Sequence, residues 1–288
     1  MLRIKKNIII QLITCLIIMS SCTEIIQIDI NNSEPQMVVE ANIAQGEPAT
    51  VILTQSVNFY TTDEYPPVQD ASVTLTDSEG KTETLTQIRP GVYVSVIMKG
   101  AIGKTYDLHI ESRDKVITST CKIPHFVPVD SFRVVNSIYP GGGPPLTPDQ
   151  SANFYEVYVS YTDPAEKKNY YRIVLWVNGV PSKNNYIYDD RFTNGNQVEN
   201  LLVVYDPELK KGDSIQVEVQ CIEKAVYEYF KSIGNSSMGP GNSSSPSNPY
   251  TNLKGAILGY FSAHTVERRQ YFIEKQDDIN SHSSDIHY

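Results

Sequence analysis

The feature that most restricts this chain is a two-residue alternation of apolar side chains, repeatedly broken by turn-forming residues. In Met37-Val39-Ala41-Ile43, Val51-Leu53, Ala71-Val73-Leu75, Val92-Val94-Val96-Met98 and Tyr106-Leu108-Ile110 the apolar residues share one parity. In an extended strand residues of one parity lie on one face, so each segment predicts a strand with one buried side. Turns separate them: Asp77-Ser78-Glu79-Gly80 before the strand Thr82 to Ile88, then Pro90-Gly91, Gly103-Lys104, and Arg113-Asp114 before Val116 to Ile123. A run of short half-buried strands with regular turn signals describes an antiparallel sandwich, and residues 35–127 are assigned to one.

The alternation continues through a second β unit, residues 128–270. It contains Val129 to Ile138, the Gly/Pro-rich loop 140–148, a strand with Tyr155, Val157, Val159 and Tyr161 on one face, and Tyr170 to Val177 closing on Asn178-Gly179. Asn-Gly is the dipeptide that a type I′ hairpin turn prefers, because both of its residues accept positive φ. Further strands are expected at Gln197 to Tyr205, Ser214 to Ile222 and Gly255 to Ala263. One stretch differs: Ala225, Tyr229 and Ile233, with Val226 and Phe230 between them, form an apolar stripe at helical spacing, which predicts one helix near 223–234. Residues 235–249 are rich in Ser, Asn, Gly and Pro and predict a loop, and 271–288 form a polar tail. The expected class is therefore mainly β, an immunoglobulin- or transthyretin-like sandwich followed by a second antiparallel β domain.

Before the first strand the chain has the layout of a secretory signal. Arg3, Lys5 and Lys6 precede the apolar stretch Ile8 to Met19, and Met19-Ser20-Ser21-Cys22 follows. The apolar run is short of the roughly 20 residues a spanning helix needs. Small residues ending in a cysteine are what a lipoprotein signal peptidase requires, so residues 1–21 read as a signal peptide and Cys22 as the lipidated residue. Residues 22–34 are then a tether. Several acyl chains on one residue give a lasting anchor where one would be marginal. Thr23 is not the aspartate of an inner-membrane retention signal, which makes the outer membrane the expected destination, on its periplasmic face or at the cell surface.

Loss of the signal removes three basic residues and no acidic one, moving the formal net charge from −9 to −12. Such a balance disfavours nucleic acid as a partner. Cys121 and Cys221 remain in a compartment where disulfides persist. Each shares the parity of core residues, Ile117 and Ile123 for the first and Ile215, Val217 and Val219 for the second. They read as small buried free thiols, with a Cys121–Cys221 bridge as the alternative.

Several segments together resemble one family. Cys22 is followed by Ile28-Asp29-Ile30, by Glu34-Pro35-Gln36-Met37-Val38-Val39-Glu40, and by Asn58-Phe59 and Tyr65-Pro66-Pro67-Val68 before Ala71-Ser72-Val73. Later come Asp163-Pro164 with Asn169-Tyr170-Tyr171-Arg172, Lys211-Gly212-Asp213, Tyr227-Glu228-Tyr229-Phe230 and the run Gly255 to Ala263. In order and spacing these resemble a Bacteroidota lipoprotein family, the domain of unknown function forty-two forty-nine. Where the family carries an Asn-Ile-x-Gly start to its last motif, this chain has Asn252-Leu253-Lys254-Gly255. The resemblance implies an outer-membrane lipoprotein with an immunoglobulin- or transthyretin-like N-terminal domain, and a TonB-dependent transporter as partner. It implies no reaction.

Catalytic chemistry is hard to find in the residues themselves. The five histidines are scattered: His109 is expected to face solvent, His125 lies between the two units, His264 ends the last strand, and His282 and His287 with Asp285 sit in the polar tail. Asp189-Asp190 and Asp277-Asp278 read as solvated carboxylate pairs. No Gly-x-Ser-x-Gly, His-Glu-x-x-His or phosphate-loop pattern is present. No cofactor and no metal is expected. Tyrosine is abundant, at 19 residues, and tyrosines in loops offer broad, rigid contact area with a polar tip. Phe59, Tyr60 and Tyr65 in one connection, and Tyr139, Tyr186 and Tyr188 in the second unit, form the candidate binding surface, the other reading being packing between domains. The expected function is that of a non-enzymatic accessory protein, anchored to the membrane through Cys22, partnered by a TonB-dependent transporter and binding an unknown ligand. The alternatives are an envelope-structural or adhesin-like module and, less favoured, a hydrolase with an unrecognised site.

Overall fold

The first sheet contains five strands. β1 (Met37–Ala44) and β2 (Pro48–Gln55) form a hairpin, β6 (Val92–Lys99) lies against β2, and β5 (Thr86–Arg89) closes that side. The opposite sheet is β4-β3-β7-β8, built from β3 (Ala71–Asp77), β4 (Thr82–Thr84), β7 (Thr105–Ser112) and β8 (Lys115–Lys122). One continuous stretch crosses between the layers: β4 pairs with β3, Leu85 turns into the core, and β5 joins β6. Side chains of the expected parity fill the space between, among them Val39, Ala41, Ile43, Val73, Leu75, Tyr106, Leu108, Ile110 and Ile117. These coordinates, a computed structural model, describe residues 34–57, 65–113, 115–137, 154–204, 208–236, 248–256 and 258–274.

β6 departs from simple alternation. Val96 is 73% exposed, whereas Tyr93 and Ser95 face inward and Met98 is buried. The inward parity is thus that of Tyr93 and Ser95, opposite to the Val94 and Val96 expected, and it passes to Met98 only where the register of the β2–β6 ladder shifts. The break is held from within: Ser95 Oγ accepts from Ala49 N at 2.7 Å and donates to Met98 O at 2.7 Å. From outside, the Glu83 carboxylate accepts the N–H groups of Val96, Ile97 and Met98 at 2.6, 3.0 and 2.6 Å.

The second sandwich packs β14 (Gln197–Leu202), β10 (Phe154–Thr162) and β9 (Val129–Ser137) against a sheet of β11 (Tyr170–Val177), β12 (Val180–Pro181), β13 (Tyr186–Asp189), β15 (Ser214–Cys221) and β17 (Glu267–Phe272). Asn178 and Gly179 both have positive φ, 51° and 79°, as the hairpin turn requires. Val157, Val159, Ile173, Leu175, Val177, Leu202, Ile215, Val217 and Val219 make its core. The expected helix forms as α1 (Lys224–Ser236), with Val226, Tyr229 and Phe230 buried.

The division at residue 128 needs correction at the C-terminal side. β16 (Leu258–His264) does not join the second unit: it pairs in parallel with β1, from Val38↔Leu258 to Ala44↔His264. α1 also packs its buried face on the first core, beside Tyr260 and Phe261. Parallel pairing needs a long connection, here everything from β2 to α1, and strand periodicity carries no record of which neighbour a strand will choose. From Pro35 onward the chain forms one compact unit.

Candidate functional site

A groove of about 460 Å³ opens at one end of the first sandwich. Its floor and walls come from β1 and β2 (Met37, Gln55), from the return of the β2–β3 connection (Pro67, Val68, Gln69, Asp70), and from the β7–β8 turn (Ser112, Arg113, Lys115). Pro35, at the start of the compact unit, lines it as well. Its walls are pinned. Tyr93 OH donates to Val68 O at 3.2 Å and accepts from Ala71 N at 3.3 Å, Gln55 N donates to Pro66 O at 2.8 Å, and Val68 N donates to Leu53 O at 2.9 Å. At the rim Arg113 Nε meets Asp70 Oδ2 at 2.9 Å, and that hydrogen bond holds the Asp70 carboxyl below its ordinary value. Arg113 sits at φ 54°, a left-handed conformation demanded by the tight β7–β8 turn. The lining thus joins apolar Pro, Met and Val surface to two carboxamides, a hydroxyl, a carboxylate and two cations, the mixture of a recognition site.

Tyr65, 63% exposed, stands where the described chain re-enters beside this groove. Among the described residues it is the one candidate aromatic that is exposed. Tyr186 and Tyr188 pack against the second core, and Tyr186 OH donates to Val203 O at 2.6 Å. β13 lies at the margin of its sheet, and these rings close the second sandwich itself. Phe59, Tyr60, Tyr139 and Cys22 lie outside the described residues. Sequence reading missed Met37, Gln55, Ser112, Arg113 and Lys115. Four lie at strand ends and Arg113 in the turn between two of them, positions that read as ordinary β structure, and only the fold brings them together.

Several titratable groups outside the groove serve the fold. Asp189 and Asp190 are not a solvated pair: Asp190 is buried and accepts from Asn169 N at 2.7 Å, while Asp189 takes Arg191 and Tyr227 OH, each at 2.9 Å. Cys121 and Cys221 are both buried and free, and burial pushes both thiols up, away from the reactive thiolate. His109 is half-exposed beside Glu111 and His125 is exposed, whereas Asp277-Asp278, His282, Asp285 and His287 lie outside the described residues. A serine–histidine contact does exist, Ser262 Oγ to His264 Nδ1 at 2.9 Å. Both residues are buried, and burial together with Arg172 pushes His264 down to about 3, which makes it a poor base. Among the described residues no three His, Cys, Asp or Glu side chains are grouped to hold a metal.

Fold and site define a two-sandwich β protein with a polar-rimmed groove at the tip of its first sandwich. The family model "Domain of unknown function (DUF4249)" matches residues 23–270, and the chain belongs to that family. No curated protein matches it. Among solved structures it is similar to the FN1-FN3 domains of chicken CNTN1, at 14% identity and a TM-score of 0.22. That match covers 65% of this chain and 60% of the other.

Proposed function

We propose that this protein is a lipid-tethered binding protein of the outer membrane that serves a TonB-dependent transporter, with the groove as its ligand surface. It acts by binding and not by catalysis. The observation that carries the reading is the position of the groove. Pro35 and Met37, where the tether gives way to β1, share the lining with Pro67 and Val68 of the Tyr65-Pro66-Pro67-Val68 segment. Two of the segments that resemble the family, apart in sequence, therefore meet at one opening. A fully extended tether, residues 22–34, reaches at most about 45 Å. Confinement of this kind raises the effective concentration of a membrane partner and lets weak contacts count. Among the described residues no helix is long and apolar enough to cross a membrane; in this reading attachment rests on the signal layout that ends at Cys22.

Affinity purification from detergent-solubilised outer membranes tests this. A barrel transporter recovered with the wild-type chain, and lost with Tyr65→Ala and Lys115→Ala variants that keep the wild-type melting temperature, is the expected result. Recovery without any transporter, or recovery indifferent to both variants, overturns the reading.

A further inference from the structure

Trp176, the single tryptophan of the chain, is not a core residue. On β11 the core takes Ile173, Leu175 and Val177, so Arg172, Val174 and Trp176 point to the outer face of that sheet. The ladder arranges this face in rows. Trp176 lies opposite Gln216, which lies opposite Gln270; Val174, Glu218 and Arg268 form the next row, and Arg172 and Gln220 the one after. Part of the face is covered. Phe230 of α1 stacks on Arg172, with its ring centroid 4.0 Å from the guanidinium carbon. The β1–β2 turn reaches over from the first sandwich, where Glu47 meets Arg268 at 2.5 Å. The Trp176 end remains half-exposed, with Gln216 half-exposed, Gln270 exposed, and Val180 63% exposed in the neighbouring hairpin.

The fold does not account for an indole here. Its Nε1–H is buried with no hydrogen-bond partner among the described residues, an arrangement costing about 1–3 kcal/mol that phenylalanine would avoid. What an indole adds is the widest flat apolar ring among the side chains. Around this ring the sheet sets the carboxamides of Gln216 and Gln270, the latter held by donating from Nε2 to Ser214 Oγ at 2.9 Å, and one row further the Glu218–Arg268 ion pair, which Gln220 and Glu47 complete from either side. A pyranose has complementary chemistry. Its axial C–H face lies flat on an aromatic ring, and its equatorial hydroxyls radiate at the spacing that carboxamides and carboxylates bridge. We infer that the outer face around Trp176 is a carbohydrate-binding platform for neutral glycans, separate from the groove.

One indole makes the test specific, because intrinsic tryptophan emission reports this face alone. Maltohexaose, cellohexaose, xylohexaose and mannohexaose are titrated into the mature chain, with glycerol as a polyol control. At least one glycan is expected to shift the emission saturably at sub-millimolar to millimolar concentration. Saturation-transfer NMR on that glycan should then show at least a tenfold loss of affinity for Trp176→Phe and for Gln216→Ala. Gln216→Ala, a truncation of a half-exposed side chain, keeps the test decisive if the tryptophan variant fails to fold. Emission unmoved by all four glycans, an equal response to glycerol, or undiminished binding by folded variants overturns the proposal.

Discussion

His264 shows how one residue is set by the layers around it. It ends β16 in full burial, with Ser262 as hydrogen-bond partner and Arg172 and Arg268 as charged neighbours. Its folded value, about 3, is far below the ordinary 6.5. An unfolded chain binds a proton on this ring as pH falls below about 6.5, and the native chain does not until about 3. The contribution to stability is therefore complete above pH 6.5 and is lost as pH falls through that window, at up to about 1.4 kcal/mol per pH unit. Urea midpoints measured from pH 7 to pH 4 should decline steeply for the wild type and less so for a folded His264→Gln variant; equal slopes would remove His264 as the cause. At Glu83 burial works against the charged form, yet the three backbone N–H groups the carboxylate accepts together hold it below its ordinary value. Glu83→Ala should cost about 1–3 kcal/mol in chemical denaturation at pH 7, since those donors lose a charged acceptor.

The strands themselves were largely legible. Parity placed Tyr106, Leu108 and Ile110 inward, as it did Ile215, Val217 and Val219, and the four-residue spacing from Ala225 to Ile233 located α1. What parity leaves out is how a sheet edge is finished. β16 is an edge strand, and an unpaired edge invites association with other chains. Here Asn252 substitutes for the missing strand: its side chain accepts from Phe261 N at 3.0 Å and donates to Phe261 O at 2.7 Å. Thr251 Oγ1 donates to Gly259 O at 2.7 Å. Two residues on, Lys254 exchanges backbone hydrogen bonds with Thr118 at 3.0 and 2.8 Å, and Leu253 is buried. The segment from Thr251 to Gly255 thus bridges β16 in one layer to β8 in the other. Its Asn-Leu-Lys-Gly motif is a structural seal, in which leucine in place of isoleucine stays apolar and buried. Gly255 is required at φ 84°, where a Cβ would meet Val116 O at 2.1 Å. Asn252→Ala should lower stability by about 1–3 kcal/mol and raise light scattering on storage. An unchanged denaturation curve and scattering would show that the edge needs no plug.

At the scale of the whole molecule the two sandwiches are not beads on a string. The chain passes between them from β8 to β9, from β15 into α1 and on to β16, and again from β16 to β17. Arg268 joins Glu47 of the first sandwich to Glu218 of the second, and Thr265 caps the end of β15 through Cys221 N at 3.0 Å. The separate domains suggested by the sequence fail at this point, because residues 35–127 alone lack β16, α1 and the seal. A fragment of residues 23–127 should therefore be aggregation-prone and without a cooperative melt, and a native-like melting transition would contradict the single-body account. The binding sites were less legible than the fold for the same reason. The groove unites Met37, Gln55, Pro67 and Lys115, and the outer face unites Trp176, Gln216 and Gln270; in both, the neighbours are set by pairing between distant segments. The signal layout ending at Cys22, by contrast, is written in contiguous residues. The central claim is that this body works as a lipid-tethered protein, and intact-mass analysis of the chain isolated from its native membrane tests it most directly. The account predicts a mature chain beginning at Cys22 with the added mass of a diacylglyceryl group and an N-acyl chain, and its loss from the membrane fraction in Cys22→Ser. An unacylated chain, or one retained equally by the membrane after that substitution, would contradict it.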